Sequence, residues 1–87
     1  MTISEIQFIP IKPKEGCFGF ASFLLDNSLY IGSVAIYSRP GGGVRLVWPQ
    51  INNRGKKFAA VHPITRELSQ SIEEAVGKEV LEAFSEL

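Results

Sequence analysis

The first two thirds of the chain consist of short apolar runs, several of which show the two-residue period of β-strands. Runs rich in β-branched and aromatic residues, separated by Gly, Pro, Asp, Asn and Ser, are typical of short strands joined by tight turns. The pattern predicts five strands, at 3–11, 17–25, 29–37, 44–48 and 56–61. Residues 26–28 favour a turn, the glycines at 41–43 favour a hairpin loop, and the polar residues 49–55 are predicted to form a loop.

Strict alternation assigns the side chains of each strand to two faces. In the first strand it places Ile6 on one face and Ile3 on the other. In the third strand it places Tyr30 on the same face as Val34, with Ile31 on the opposite face. These assignments predict which residues of each strand share a face.

From Thr65 onward the apolar period changes from 2 to 3.6, which predicts an amphipathic helix. Its apolar face holds Leu68, Ile72, Ala75, Val76, Val80, Ala83, Phe84 and Leu87. Thr65 suits the N-cap, Glu67 complements the helix dipole, and Gly77 weakens one turn without ending the helix. Residues 1–87 are therefore predicted to form one α+β domain, a curled antiparallel sheet of about five strands followed by one C-terminal amphipathic helix.

The second predicted strand, at 17–25, is apolar on both faces, and so is much of the third. One helix covers one face of a sheet, so the other face needs a second cover. Strong curling of the sheet is one way to supply that cover, but a second copy of the chain is the simpler answer, because it would also protect the sheet edges. The sequence therefore predicts a homodimer.

Composition places the chain among ordinary globular domains, since 45% of the residues are apolar and 21% are charged. No apolar run approaches the ~18–20 residues that cross a bilayer. The first residues also lack the basic and apolar regions of a signal peptide. We therefore expect a cytoplasmic protein without membrane association, and the single cysteine excludes an internal disulfide.

The formal net charge of zero conceals a division along the chain. Residues 1–63 carry seven basic and three acidic side chains, whereas residues 64–87 carry two basic and six acidic ones. A basic excess of this kind favours an anionic partner for the sheet region. Five cations fall in the hairpin and loop region between the third and fifth predicted strands: Arg39, Arg45, Arg54, Lys56 and Lys57.

Aromatic residues lie among these five cations along the chain, at Tyr37, Trp48 and Phe58. Cations interleaved with aromatics suit a nucleic-acid backbone and unstacked bases, so the five cations are candidate contacts to DNA or RNA. The alternative is that the charges only keep the surface solvated and that the aromatics belong to the core.

Catalytic and metal chemistry have little local support. A nucleophile and base pair would require Cys17 and His62, yet no sequence signature joins them. Cys17 is predicted to be a small buried strand residue, and His62 a structural residue that hydrogen-bonds near the junction of strand and helix. The glycines at 41–43 lack the Lys-Ser/Thr ending of a phosphate loop, and the glutamates from Glu73 onward lack partner histidines for a metal. We expect no enzyme activity, metal, cofactor or small-molecule substrate.

Several segments match a known family in order and spacing. They are residues 21–26, the strand at 29–37, Gly43 with Trp48-Pro49, His62-Pro63-Ile64, and Ile72 with Glu74-Ala75-Val76 and Glu79. In these residues the chain resembles the stage V sporulation protein G family, the SpoVG septation regulators of bacteria. The resemblance implies a small antiparallel sheet with a C-terminal helix, a homodimer, and a cytoplasmic nucleic-acid-binding regulator connected with septation or sporulation.

The chain departs from the family mainly at polar positions. Gly32 and Ser33 stand where the family usually has a His-Asp pair, and Ser69 replaces a common helix arginine. Two hypotheses of function therefore stand side by side. The first is a dimeric nucleic-acid-binding regulator that uses the five cations as phosphate contacts. The second is a protein-interaction module without nucleic-acid binding.

Overall fold

The structure, a computed structural model, describes residues 1–85. These residues form six strands and one long helix: β1 (Ile3–Lys14), β2 (Cys17–Leu25), β3 (Leu29–Ser38), β4 (Val44–Val47), β5 (Gln50–Asn53), β6 (Lys56–Ala59) and α1 (Arg66–Ser85). The predicted α+β class and the C-terminal helix are confirmed. Leu87, predicted on the apolar face of the helix, lies outside the described residues.

The six strands form two separate antiparallel sheets. β1 to β4 follow one another in a four-stranded meander, and β5 pairs only with β6. The prediction of a loop over 49–55 was wrong, because β5 occupies its middle. The turn that allows this pairing is Arg54-Gly55, whose φ angles of 53° and 79° match the two left-handed central residues of a type I′ hairpin turn. The pattern concealed the strand because both of its faces are exposed, so neither face is selected for apolar residues.

A β-bulge in β3 overturns the predicted faces of that strand. Gly32 and Ser33 lie opposite the single residue Ser22, because the pairing moves from Phe23↔Ile31 to Ala21↔Val34. Ser33 adopts the left-handed φ of 58° at this point. The extra residue reverses the alternation, so Ile31 joins Val34 in the core while Tyr30 is left 67% exposed.

A second bulge lies beside the first, in β1. Glu5, with φ 51°, and Ile6 occupy the gap in pairing between Ser4↔Leu24 and Gln7↔Ser22. Ile3 and Ile6 consequently pack against the same core, although strict alternation predicted opposite faces. Both corrections have one cause, because a bulge shifts the two-residue period by one position.

The core lies between one face of the meander and α1. Ile72, Val76 and Val80 are buried, and they pack with buried residues of the sheet such as Phe23 and Ile36. This confirms the central part of the predicted helix face. The helix begins as predicted, since the Leu68 N–H donates to the Thr65 hydroxyl over 3.2 Å.

The predicted apolar face becomes less buried toward the end of the helix. Phe84 is 48% exposed, so its predicted burial is only partial. Its ring nevertheless contacts two rings of the sheet, with centroids 5.8 Å from Phe8 and 6.0 Å from Phe18. The last described turn of α1 is thereby held to the sheet through aromatic contacts.

Candidate nucleic-acid interface

The β5–β6 hairpin, residues 50–59, projects from the sheet and is called the arm below. Every residue of the arm is exposed. Its base is closed by a hydrogen bond of 2.7 Å from the Ala60 N–H to the Pro49 carbonyl. Directly before the base, the Trp48 ring packs edge-on against buried Phe23, with centroids 6.1 Å apart. The arm is therefore anchored at its base and open to solvent along its length.

Strand register divides the arm into two faces. Residues directly opposite each other in a hairpin share a face, and successive residues alternate between faces. Ile51 pairs with Phe58, and the two side chains are 57% and 52% exposed. Asn53 and Lys56 lie on that same apolar face, nearer the tip. The opposite, polar face carries Gln50, Asn52, Lys57 and Ala59.

The tip of the arm is Arg54-Gly55. Arg54 holds the left-handed conformation at φ 53°. Turns of this type favour Asn or Asp at that position, because a left-handed conformation costs other residues about 1 kcal/mol or more. Arg54 adopts this conformation despite its free-energy cost, and a guanidinium therefore lies at the outermost point of the hairpin.

The five predicted cations do not form one cluster. Arg54, Lys56 and Lys57 share the arm. Arg45 belongs to β4, where its guanidinium lies over the Tyr37 ring at 4.9 Å from the centroid. Arg39 lies in the loop after β3 and forms an ion pair of 3.4 Å with Glu73 of α1. The structure therefore unites three of the five cations and places the other two on the meander and beside the helix.

The predicted aromatics also divide among different environments. Trp48 belongs to the core side, Tyr37 lies under Arg45, and Phe58 is exposed on the arm. Three polar residues of the arm, Gln50, Asn52 and Asn53, were missed because 49–55 was predicted to be a loop. The signal that finds them is the Arg-Gly pair with four residues on either side, which is the spacing of a two-residue hairpin.

The arm also lies in a long stretch of the chain without acidic residues. No Asp or Glu occurs between Asp26 and Glu67. Neither strand of the arm therefore contains a carboxylate that would form an ion pair with its cations. The arm combines three cations with three side-chain amides and exposes them all to solvent.

The sheet face turned away from α1 is called the outer face below. One apolar row crosses all four strands of the meander on this face, since Ile9 pairs with Phe20, Phe20 with Ala35, and Ala35 with Val47. Ile9 is 57% exposed and the other three residues are half-buried. The row is the feature that the sequence predicted from a second strand that is apolar on both faces.

A groove of about 730 Å³ lies on the other side of the molecule, between α1 and the loop that joins β3 to β4. Phe18, Val44 and Val80 form part of its apolar lining. Glu73 and Glu74 of the helix also line it. The groove therefore combines apolar and acidic side chains, whereas the arm carries no carboxylate.

Cys17 and His62 each contact a different backbone carbonyl. Cys17 is buried, as predicted, and its thiol contacts the Gly19 carbonyl at 3.6 Å. His62 is exposed, and its Nδ1 lies 3.0 Å from the Pro63 carbonyl, which is the predicted hydrogen bond at the junction of strand and helix. Residues 1–85 contain no group of three or more His, Cys, Asp or Glu side chains placed to hold a metal ion.

The triple glycine forms the predicted hairpin loop between β3 and β4, and each of its residues has a positive φ. In the part of the chain that the structure describes, no helix has the length and apolarity that a membrane crossing requires. No family model matches the chain, and no curated protein matches it.

Proposed function

We propose that the chain is a homodimeric nucleic-acid-binding regulatory protein of the SpoVG kind, in which the arm contacts the nucleic acid. The observation that carries this proposal is the exposed arm with its three cations and no acid. An isolated two-stranded hairpin is marginally stable in water. A fully exposed hairpin therefore adds little to the fold, and contact with a polyanion accounts for its composition. The family resemblance supports a regulatory role connected with septation or sporulation.

Electrostatics favours the arm over the rest of the surface. Exposed charges interact over a Debye length of about 8–10 Å at physiological salt. Arg54, Lys56 and Lys57 fall within four consecutive residues, so their fields add at the tip. Acids are concentrated in α1, so the arm attracts phosphates and the helix repels them.

Arg45 and Arg39 differ in what binding would require of them. Arg45 already stacks on Tyr37, and a guanidinium in that arrangement keeps donors free for a phosphate. Arg39 would first have to leave Glu73. We therefore assign Arg45 a supporting contact and assign Arg39 to the helix.

The outer face supports the dimer. Two sheets that pack face to face bury their facing side chains in a layer about 10 Å thick. The row of Ile9, Phe20, Ala35 and Val47 gives each copy an apolar band across the whole meander. Pairing the same band in two copies buries both, and a stable interface buries about 1,200–2,000 Å² in total.

Sedimentation equilibrium at micromolar concentration tests the dimer. The expected mass is twice that of the 9.6 kDa chain. Ile9→Glu should give the monomer, because it places a charge in the apolar band, whereas Ile51→Glu on the arm should leave the dimer intact. A wild-type monomer would contradict the dimer.

Salt dependence tests nucleic-acid binding. If two arms place Lys56, Lys57 and in part Arg54 on phosphates, affinity for duplex DNA should fall with salt with a log-log slope of about −3 to −5. Lys56→Glu with Lys57→Glu should bring the slope close to zero, because four cations of the dimer are replaced by acids. Fluorescence titration of labelled oligonucleotides at several salt concentrations gives the slope.

The matched control is Lys12→Glu with Lys14→Glu, which makes the same charge change at the other edge of the meander. It should preserve most of the slope, since β1 lies at the opposite edge of the meander from β4, which leads into the arm. Equal losses in the two double variants would mean that net charge, and not the arm, governs binding. No binding at low salt with tens of micromolar protein would contradict the proposed function.

The groove beside α1 favours the alternative, a protein-interaction module without nucleic-acid binding. Its volume of about 730 Å³ and its apolar lining suit an apolar segment of a protein partner. This alternative predicts no steep salt dependence and no effect of the arm charges. The double variant of Lys56 and Lys57 therefore separates the two functions.

A further inference from the structure

We propose that the arm enters the major groove of duplex DNA as a two-stranded β-ribbon, with its polar face turned to the base edges. This inference rests on the proposed function and specifies its substrate class. The polar face presents Gln50 and Asn52 to the base edges, and the tip carries Arg54. Lys57 lies on the same face, and its long side chain reaches the phosphates beside the groove. The argument depends on the dimensions of the arm, on the chemistry of its two faces and on its single aromatic residue.

The dimensions of the arm match one groove. Paired strands lie about 4.8 Å apart, and the major groove of B-form DNA, about 12 Å wide, admits a two-stranded ribbon with its side chains. The minor groove, about 6 Å wide, admits such a ribbon only when the DNA is deformed to widen it. The deep, narrow major groove of duplex RNA is likewise closed to side chains.

The length of the arm also suffices. Four residues in each strand extend about 14 Å at about 3.4 Å per residue. Laid along the floor of the major groove, a ribbon of that length spans about four base-pair steps of about 3.4 Å. Gln50 and Asn52, on the same face of the arm, therefore both lie over base edges.

The side chains of the polar face favour base edges over phosphates. Gln50 and Asn52 carry no charge, so they neutralise no phosphate. Their amides each combine a donor and an acceptor, which is the pairing that reads N6 and N7 of adenine. Arg54 at the tip has the fork of donors that reads O6 and N7 of guanine. Phosphate contact alone explains the lysines but leaves the amides without a role.

The aromatic content of the arm favours a duplex over a single strand. Proteins that follow single strands stack successive bases on several aromatic side chains. The arm has one aromatic residue, Phe58, and it is paired with Ile51 on the apolar face. One ring is too few to stack a run of unstacked bases.

Modified duplexes of one sequence test the groove. Glucosylated 5-hydroxymethylcytosine fills the major groove with a neutral group, and 2-aminoadenine adds an amine in the minor groove. Glucosylation should weaken binding by about 10-fold or more, and 2-aminoadenine should change it by less than about 2-fold. The corresponding single strand and RNA duplex should bind at least about 10-fold more weakly than the unmodified DNA duplex.

Asn52 and its neighbour Asn53 provide matched variants for the two faces, because register places them on opposite sides of the arm. Asn52→Ala should lower affinity for the unmodified duplex and reduce the effect of glucosylation, with the salt slope unchanged. Asn53→Ala should retain the full effect of glucosylation. Both variants make the same chemical change in the same strand.

Each outcome has a separate meaning. Equal affinity for plain and glucosylated DNA would overturn groove entry while leaving nucleic-acid binding intact, as would preference for the single strand. Equal effects of the two asparagine variants on the response to glucosylation would overturn the assignment of faces. Absence of binding to every duplex and strand at low salt would overturn the proposed function itself.

Discussion

The meander and the arm contain hairpins with the same kind of turn and opposite surroundings. β2 and β3 are joined through Asp26 and Asn27 at φ 50° and 53°, and β5 and β6 through Arg54 and Gly55 at 53° and 79°. The first hairpin supplies much of the core, whereas every residue of the second is exposed. Turn chemistry makes a hairpin, but burial decides whether it stabilises the molecule or is free to contact a partner.

The largest difference in stability should appear between two isoleucine variants, one in the core and one on the arm. Ile72→Ala should lower the free energy of unfolding by about 2–5 kcal/mol, because the side chain is 1% exposed and its loss leaves a cavity. Ile51→Ala on the arm, where the side chain is 57% exposed, should cost about 0.5 kcal/mol or less. Urea denaturation of both variants measures the contrast, and similar losses would show that the arm is part of the cooperative core.

A glycine of the meander should give the next largest effect. A Cβ at Gly19 would lie 2.8 Å from the Ile9 carbonyl and would collide with the Phe8 ring. Gly19→Ala should therefore destabilise the fold by about 1–3 kcal/mol, because backbone of a neighbouring strand cannot move away cheaply. Thermal unfolding followed by circular dichroism tests this. A melting temperature equal to that of the wild type would show that β1 can move away from β2.

The sequence predicted the meander and the helix better than the positions of individual side chains. Alternation and helical periodicity are local signals, so the strands of the meander and α1 were found near their observed bounds. The bulges at Glu5 and Ser33 were missed because neither residue is a glycine, the usual marker of a left-handed conformation. Each bulge reverses a face, which is why Ile31, and not Tyr30 as predicted, shares the face of Val34.

At the candidate site, too, the sequence predicted the residue types better than their positions relative to one another. The cations were found by composition, yet composition holds no information on which of them lie together. Arg39 and Arg45 separate from the arm because the loop after β3 reaches α1, and because the alternation in β4 turns Arg45 to the outer face. The amides of Gln50 and Asn52 were missed because a strand exposed on both faces leaves no apolar pattern.

A helix glycine should act in the stabilising direction. A Cβ at Gly77 would lie 3.6 Å from Val44 Cγ2, which is ordinary contact. Gly77→Ala should therefore raise the free energy of unfolding by up to about 1 kcal/mol, the difference in helix propensity. For a domain of this size the melting temperature should rise by about 4–8 °C per kcal/mol. An unchanged or lower melting temperature would mean that the space between the helix and β4 is too small for the added methyl group, despite the 3.6 Å distance to Val44.

The smallest stability effect should come from Arg39, which tests where the boundary between the two regions lies. Its ion pair with Glu73 lies at the surface, with side-chain exposures of 48% and 26%, and surface pairs contribute about 0–1 kcal/mol. Arg39→Ala should therefore change the free energy of unfolding only slightly. A double-mutant cycle with Glu73→Gln should give a small favourable coupling that shrinks as salt rises.

Arg39→Ala should also leave the salt slope of DNA binding nearly unchanged. Arg39 already has a carboxylate partner, whereas Lys56 and Lys57 have none on the arm. If Arg39→Ala flattened the slope as much as the loss of an arm lysine, the nucleic acid would have to extend from the arm across the loop after β3 to the helix.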